Sequence, residues 1–152
     1  MSNMTISGAK HVIDIAGLPE MAIQNLHLSD IIGSGQIGMT AEYADGLELH
    51  NVQINTASGP AFHAAHSTNL ELDHVTTRKP LSGEPVVRLD ETPGAILRDS
   101  RAFPGTSVFL SVAPGALKQV VLVGNVLGNA ATPTQEGPGE LQKPEQTIGP
   151  VD

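Results

Sequence analysis

Residues 47–52 read Leu-Glu-Leu-His-Asn-Val, an apolar-x-apolar-x-x-apolar run that returns four more times along the chain. The other copies begin at residues 26, 70, 95 and 121, and the copy at 95 is the weakest. Alternation with a period of two turns one side of a short strand inward, and the extra residue before the third apolar position indicates a bend. Asn and Asp suit such a corner because they tolerate left-handed backbone conformations. The residues at the predicted corners are Asp30, Asn51, His74, Asp99 and Asn125.

Glycines mark a second repeat of similar length. They stand at positions 8, 35, 59, 83, 105 and 128, which are 22 to 27 residues apart. A further strand is predicted after four of these turns, over residues 36–40, 61–65, 85–89 and 107–112. Units of about 23 residues with two or three short strands are typical of a solenoid, in which stacked rungs share one core. The sequence therefore predicts an all-β parallel solenoid of about five coils.

The two ends of the chain differ from its middle. Residues 8–25 form a first, looser rung, and the β-helix domain is predicted over residues 1–130. After Gly128 the chain loses its periodicity and stays rich in Pro, Gly, Gln and Glu. Residues 131–152 are therefore expected to form an irregular tail, either disordered or extended along the solenoid.

The amino-acid composition indicates which residues fill the core and which classes of partner are disfavoured. The 152 residues are enough for one domain, and 39% of them are hydrophobic, with three Phe, one Tyr and no Trp. A core of Val, Ile, Leu and Ala suits thin repeated layers. Without cysteine the chain has no disulfide and no thiolate metal ligand. The net charge of -8 argues against nucleic acid or an anionic membrane as a partner, and no apolar run reaches the length of a membrane span.

One segment of the chain resembles a known family. Residues 13–20 read Ile-Asp-Ile-Ala-Gly-Leu-Pro-Glu, and residues 23–31 follow as Ile-Gln-Asn-Leu-His-Leu-Ser-Asp-Ile. These residues resemble the last coils of bacterial polygalacturonase-type members of glycoside hydrolase family 28, and the resemblance covers roughly residues 10–128. It implies a right-handed parallel β-helix and a pectic substrate class. Family members are typically secreted or periplasmic, but residues 1–5 lack the features of a signal peptide, so localisation is left open.

The catalytic motifs of that family do not occur in this chain. Inverting hydrolysis needs a protonated acid at the glycosidic oxygen and a separate base for the attacking water. The family carries its catalytic groups on Asn-Thr-Asp, Asp-Asp, Gly-His-Gly and Arg-Ile-Lys strings, and none of the four is present. The resemblance therefore assigns no catalytic residue and no cofactor.

Basic residues are concentrated in one part of the sequence. Five of the eight lie between residues 78 and 101. We expect Arg98 to form an ion pair with Asp73 on the neighbouring rung, an interaction that contributes little when exposed. The other four are candidate ligands for the carboxylates of an acidic sugar, since guanidinium and ammonium groups bind carboxylates. They are Arg78, Lys79, Arg88 and Arg101. General charge balance in an acidic protein is the alternative interpretation.

Two pairs of carboxylates are the candidates for acid chemistry. Asp90 and Glu91 are the only adjacent pair, and their place before a predicted turn favours surface charge over catalysis. Alignment of the rungs puts Glu48 and Glu71 on neighbouring coils, about 4.8 Å apart along the backbone ladder. Such a pair can share a proton, but an outward-facing polar stripe is the favoured interpretation.

Six histidines raise the question of a metal site. Two or three His with a carboxylate can bind zinc or a similar ion. However, His50 and His74 fall in different columns of the aligned rungs, and His63 and His66 belong to another strand or corner. We favour stacking of these rings at turns and predict no metal site.

Three functions remain open on the sequence alone. The first is a catalytically incomplete polygalacturonase-like scaffold that self-associates, because an open solenoid end presents unpaired backbone and an apolar cross-section. A homo-oligomer, either a trimer or an end-to-end dimer, is then expected. The alternatives are a binding module for acidic, pectin-type polysaccharide and a glycoside hydrolase with a non-standard site. Neither nucleic acid nor a membrane is expected as a partner.

Overall fold

The computed structural model describes residues 2–137, which are built almost entirely of β-strands. The strands are β1 (Ser2–Ala16), β2 (Ile23–Gln24), β3 (His27–Glu42), β4 (Ala44–Asp45), β5 (Glu48–Thr56), β6 (Phe62–Ala65), β7 (Glu71–Thr76), β8 (Pro85–Asp90), β9 (Ile96–Arg98), β10 (Val108–Val112), β11 (Val121–Val123) and β12 (Thr132–Glu136). One short 3₁₀ helix covers Leu117–Gln119. Over these residues no helix is long and apolar enough to cross a membrane.

The strands stack as the rungs of a solenoid. The main sheet has the order β11-β9-β7-β5-β3-β6-β8-β10-β12, with β1 also on β3, and its strand pairs are parallel. The first half of β3 pairs with β5 and its second half with β6, so the sheet has two branches that meet in one long strand. The chain makes about six turns. The predicted all-β parallel β-helix is therefore confirmed. The strands predicted after the glycine turns match β3, β6, β8 and β10, with β6 and β10 beginning one residue later than predicted.

The extra turn relative to the predicted five comes from the chain ends. Strand β1 runs along β3 from Ser2 to Ala16, where the sequence indicates only a loose rung. At the other end β12 pairs in parallel with β10, so the sheet continues to Glu136, beyond residue 130. Pro133 is compatible with β12 because that strand lies at the edge of the sheet, where a missing N–H costs no ladder bond. The rest of the predicted tail, residues 138–152, lies outside the described residues.

The predicted corners adopt the left-handed backbone conformation in four of five copies. Their φ angles are 56° at Asp30, 56° at Asn51, 58° at His74 and 51° at Asp99. Corner side chains also bond between coils, as when Asn51 Nδ2 donates to Asp30 Oδ1 at 2.8 Å. These contacts explain why polar residues recur at this position of the repeat.

The prediction for the fifth corner is wrong by one residue. Gly124, with φ of 67°, takes the corner instead of Asn125, and a Cβ there would lie 2.5 Å from Asp99 Oδ1. Strand β11 accordingly pairs Leu122 with Leu97, whereas the repeat spacing aligned Val123 with Leu97. A slip of one residue reverses which side chains face the core.

Apolar side chains of successive coils form columns in the core. Leu28, Leu49, Leu72 and Leu97 pair in register, and each is at most 4% exposed. Leu122 continues this column at the last rung, where it is 39% exposed. Leu49, Leu72 and Leu97 are therefore each covered by the coils above and below them, and the cover ends at β11.

We predict that Leu72→Ala lowers the free energy of unfolding by about 2–4 kcal/mol, because it opens a cavity between two filled rungs. Leu122→Ala is the matched control, and it should change the free energy by less than about 1 kcal/mol since its site is already partly open to solvent. Urea denaturation followed by circular dichroism measures both. Equal losses of unfolding free energy in the two variants would contradict the prediction that the leucine column is covered at Leu72 and open at Leu122.

Candidate functional site

The four basic residues predicted as carboxylate ligands lie on three separate parts of the surface. Arg78 and Arg101 meet at the ring of Phe103. Arg88 lies on the other branch of the sheet, in β8, where it bonds Asp90. Lys79 follows Arg78 in the turn after β7 and lines a narrow crevice that shares Glu84 and Pro85 with the cavity beside Arg88. The structure thus brings two of the four residues together.

Two guanidinium groups share one aromatic ring. The Cζ atom of Arg78 lies 5.1 Å from the centroid of Phe103, and that of Arg101 lies 5.5 Å from it. Both distances are in the range of cation–π contacts. No carboxylate of the described residues pairs with either arginine. Two like charges are therefore held side by side without a counterion from this part of the protein.

A surface groove runs from these arginines along the solenoid. Its first cavity has a volume of about 290 Å³ and opens beside a second of about 460 Å³, which shares Asn51 and Gln53 with it. The register places Ile32, Gln53 and Thr76 on successive coils, so the groove follows the solenoid axis. We call it the Phe103 groove. Its polar lining residues are Asn51, Gln53, His74, Thr76, Arg78 and Arg101 in the first cavity, with Thr5 and Asp30 added in the second, at the end away from the arginines.

Side-chain hydrogen bonds hold the turns that carry the arginines. Asn55 Oδ1 accepts from Thr77 Oγ1 and from the N–H of Arg78, both at 3.0 Å. On the next coil, the carbonyl oxygen of Arg101 accepts from Thr76 Oγ1 at 2.6 Å. Both arginines therefore extend from backbone that is bonded to a neighbouring coil.

A second polar cluster lies on the β6–β8–β10 branch. Nε and Nη2 of Arg88 each lie 3.0 Å from Asp90 Oδ1, and Nη1 donates to Ser111 Oγ at 3.0 Å. His63 Nε2 lies 2.8 Å from the other carboxylate oxygen, Asp90 Oδ2. Burial would raise the pKa of Asp90, but the hydrogen bonds and charges of Arg88 and His63 outweigh it and hold that pKa below its usual value. Asp90 is therefore ionised at neutral pH and does not suit the role of the protonated acid in glycoside hydrolysis.

A cavity of about 490 Å³ opens beside this cluster, and we call it the His63 pocket. Its apolar walls are Pro60, Pro85 and Val108, and its polar lining residues are His63, Glu84, Arg88, Asp90, Ser111 and Gln135. The sequence prediction missed this pocket. The strand register could have indicated this pocket, because it aligns four polar residues on successive coils: His63, Arg88, Ser111 and Gln135.

The remaining acidic candidates each contact an arginine or histidine side chain. Glu48 and Glu71 lie opposite each other on neighbouring coils as predicted. Glu48 contacts His27 Nδ1 at 3.2 Å, and Glu71 contacts Arg98 Nη2 at 2.5 Å. The predicted ion pair between Arg98 and Asp73 is also present, at 3.6 Å. The arrangement is that of an outward-facing stripe of ion pairs.

The histidines contact carboxylates in pairs instead of larger groups. His50 Nδ1 lies 2.8 Å from Asp73, and His66 Nδ1 lies 2.6 Å from Glu91. His74 Nδ1 contacts the carbonyl oxygen of Asp99 at 3.1 Å. Between residues 2 and 137, no three His, Asp or Glu side chains converge on a point that could hold a metal ion.

Comparison of the chain with family models, with curated proteins and with solved structures found no match. The resemblance to glycoside hydrolase family 28 therefore rests on the residues of the repeat alone.

We predict that Asp90→Asn lowers the free energy of unfolding at pH 7 by about 1 kcal/mol, because it weakens the contacts of Asp90 with Arg88 and His63. The loss is small because the ion pair of Asp90 with Arg88 is partly exposed to solvent. Because the pKa of Asp90 is depressed in the folded protein, its contribution is present above the ordinary carboxyl pKa and is lost as pH falls through the folded value. The difference between wild type and variant should therefore shrink toward pH 3.

Urea denaturation at pH 7 and at about pH 3 measures this difference. Asp14→Asn is the control, because Asp14 is bonded only to the neutral hydroxyl of Thr40 among the described residues. An Asp90→Asn effect of the same size at both pH values would contradict the ion-pair account.

Proposed function

We propose that this chain is a catalytically incomplete, polygalacturonase-like β-helix that binds acidic polysaccharide of the pectin type along the Phe103 groove. The observation that carries the proposal is the pair Arg78 and Arg101 on one ring, without a carboxylate partner among the described residues. The protein has a net charge of -8, yet no described carboxylate pairs with either arginine.

A bound carboxylate relieves the repulsion between the two guanidinium groups. Guanidinium binds carboxylate through two parallel hydrogen bonds, which adds orientation to charge attraction. Phe103 contacts both arginines and is only half-buried, so the open part of its ring offers an apolar surface to the C–H face of a sugar ring. A uronic acid combines both features in one unit, and this supports an acidic sugar over a simple anion.

The course of the groove suits a linear chain. Successive rungs lie about 4.8 Å apart, and each adds polar side chains to the lining. Asn51 and Gln53 belong to one coil, and His74 and Thr76 to the next. A polysaccharide lying along the axis meets the same kinds of hydrogen-bonding group at regular intervals. The missing catalytic strings and the ionised state of Asp90 favour binding over hydrolysis.

We predict that Arg101→Gln weakens the binding of trigalacturonate about 10-fold, because it removes one charged partner of the sugar carboxylate. Arg78→Gln should have a similar effect, and affinity should fall as salt rises from about 20 to about 300 mM. Isothermal titration calorimetry measures all three effects.

The matched control is Arg98→Gln, since Arg98 is also partly exposed but already pairs with Glu71 and Asp73. It should bind trigalacturonate as the wild type does. No binding at low salt, or an equal loss in the control, would contradict the proposal.

A separate observation favours self-association as a second function. Strand β11 ends the sheet order and pairs only with β9 among the described residues. Its side chains are apolar and exposed, with Val121 at 50% and Val123 at 52%. An unpaired edge with apolar side chains is a template for another strand. We infer that a second copy binds here end to end, because a two-fold axis sets the same edge and the same apolar residues against themselves.

We predict that the wild-type protein forms a dimer at micromolar concentrations and that Val123→Lys shifts it to the monomer. A lysine on the edge strand places two like charges at the contact and opposes pairing. Size-exclusion chromatography with light scattering measures the masses. Met21→Lys, a charge added at another exposed apolar residue, should leave the dimer intact. A wild-type monomer throughout the concentration range would contradict the inference.

A further inference from the structure

We propose that the His63 pocket is a second ligand site, independent of the Phe103 groove, and that it binds a neutral sugar unit. The pocket and the groove lie on different branches of the sheet and share no lining residue. The proposal goes beyond the binding of acidic polysaccharide and can fail or succeed separately from it.

Charge in the pocket disfavours an acidic ligand. Arg88 uses Nε and Nη2 on Asp90, and Nη1 on Ser111 and on the carbonyl oxygen of Gly137. Its guanidinium is therefore engaged by the protein and does not offer a free fork to a ligand carboxylate. Glu84 adds a negative charge at the wall of the pocket. With Arg88 and Asp90 neutralising each other, a neutral ligand suits the site better than an anion.

Ser111 presents an unused hydrogen-bond donor to the pocket. Its side-chain oxygen accepts from Arg88, and no described residue accepts its hydroxyl proton. The residue is only 1% exposed, so this donor has little access to bulk water. A buried polar group without a partner carries a free-energy penalty. A ligand oxygen in the pocket would satisfy it.

His63 adds a second hydrogen-bonding group to the same lining. Its Nε2–H donates to the ionised Asp90, with Nε2 lying 2.8 Å from Oδ2. The other ring nitrogen, Nδ1, accepts from a ligand hydroxyl when the ring is neutral and donates to one when the ring is protonated. Gln135 adds an amide that both donates and accepts. The neighbouring hydroxyls of a sugar ring also donate and accept, so one unit can satisfy Ser111 and His63 together.

The walls of the pocket complete the match with a sugar. Pro60, Pro85 and Val108 provide apolar surface for the C–H faces of a ring. A volume of about 490 Å³ falls within the range of small-ligand sites, which have mostly apolar walls and a few convergent polar groups. The combination of an apolar wall with a donor and an acceptor distinguishes a sugar from a purely apolar ligand.

Titration of the full chain with cellotriose, xylotriose and maltotriose tests the proposal by calorimetry at pH 7. We expect at least one of the three to bind with an affinity that does not change between about 20 and 300 mM salt, because no ligand charge is involved. Ser111→Ala should weaken that binding about 5-fold. Thr40→Ala is the matched control, since it removes a hydroxyl from the same column three coils before Ser111, outside the pocket, and should leave the affinity unchanged.

Arg101→Gln separates this site from the Phe103 groove, and it should leave neutral trisaccharide binding unchanged. Glu84→Gln provides a second test, because Glu84 lines the pocket and does not belong to the core. It should weaken the binding of the neutral trisaccharide about 3-fold, since it replaces a charged hydrogen-bond acceptor for a sugar hydroxyl with a neutral one. Circular dichroism checks that each variant is folded. The proposal is overturned if no trisaccharide binds at about 10 mM, if Arg101→Gln abolishes the binding, or if neither Ser111→Ala nor Glu84→Gln changes it.

Discussion

The parallel hydrogen bonding of each coil to the next sets the position of almost every side chain in this protein. Once one strand is in register, a residue has a partner one coil away, and that partner is 21 to 28 residues distant in the sequence for most of the side-chain bonds. The leucine column from Leu28 to Leu97 and the ion pair of Arg98 with Asp73 follow from the same ladder. Left-handed corners such as Asn51 keep that ladder in phase, because they turn the chain at the same point of each coil.

The ladder also explains why both candidate sites are elongated and polar. Outward-facing residues stack about 4.8 Å apart, so a polar position in the repeat becomes a line of polar groups. On one branch this line ends at Arg78 and Arg101, which have no carboxylate partner among the described residues. On the other branch Arg88 and Asp90 neutralise each other and leave a pocket of nearly balanced charge. Similar stacking therefore gives one candidate site with two arginines that lack a described carboxylate partner and one whose arginine is engaged by Asp90.

At the two ends of the solenoid, the hydrogen bonding between coils is less complete. A terminal rung is covered on one side only, so its sequence is under less constraint than that of a middle rung. Strand β12 tolerates Pro133 at its edge, and β11 leaves Val121 and Val123 exposed. These are also the places where the repeat pattern predicted the structure least well, with the tail expected from residue 131 and the last corner expected at Asn125.

The coil length, the strands of the middle rungs and four of the five corners can be predicted from the sequence, because the apolar spacing and the left-handed residues are local properties that recur in those rungs. The sequence also determined the opposition of Glu48 and Glu71, which depends only on register. Which basic residues meet depends on the folded chain, since Arg78 and Lys79 lie in the turn after β7 whereas Arg88 lies within β8 on the other branch of the sheet. Phe103 joined Arg78 to Arg101, and Asp90 neutralised Arg88, through side-chain contacts that the period of the repeat does not specify.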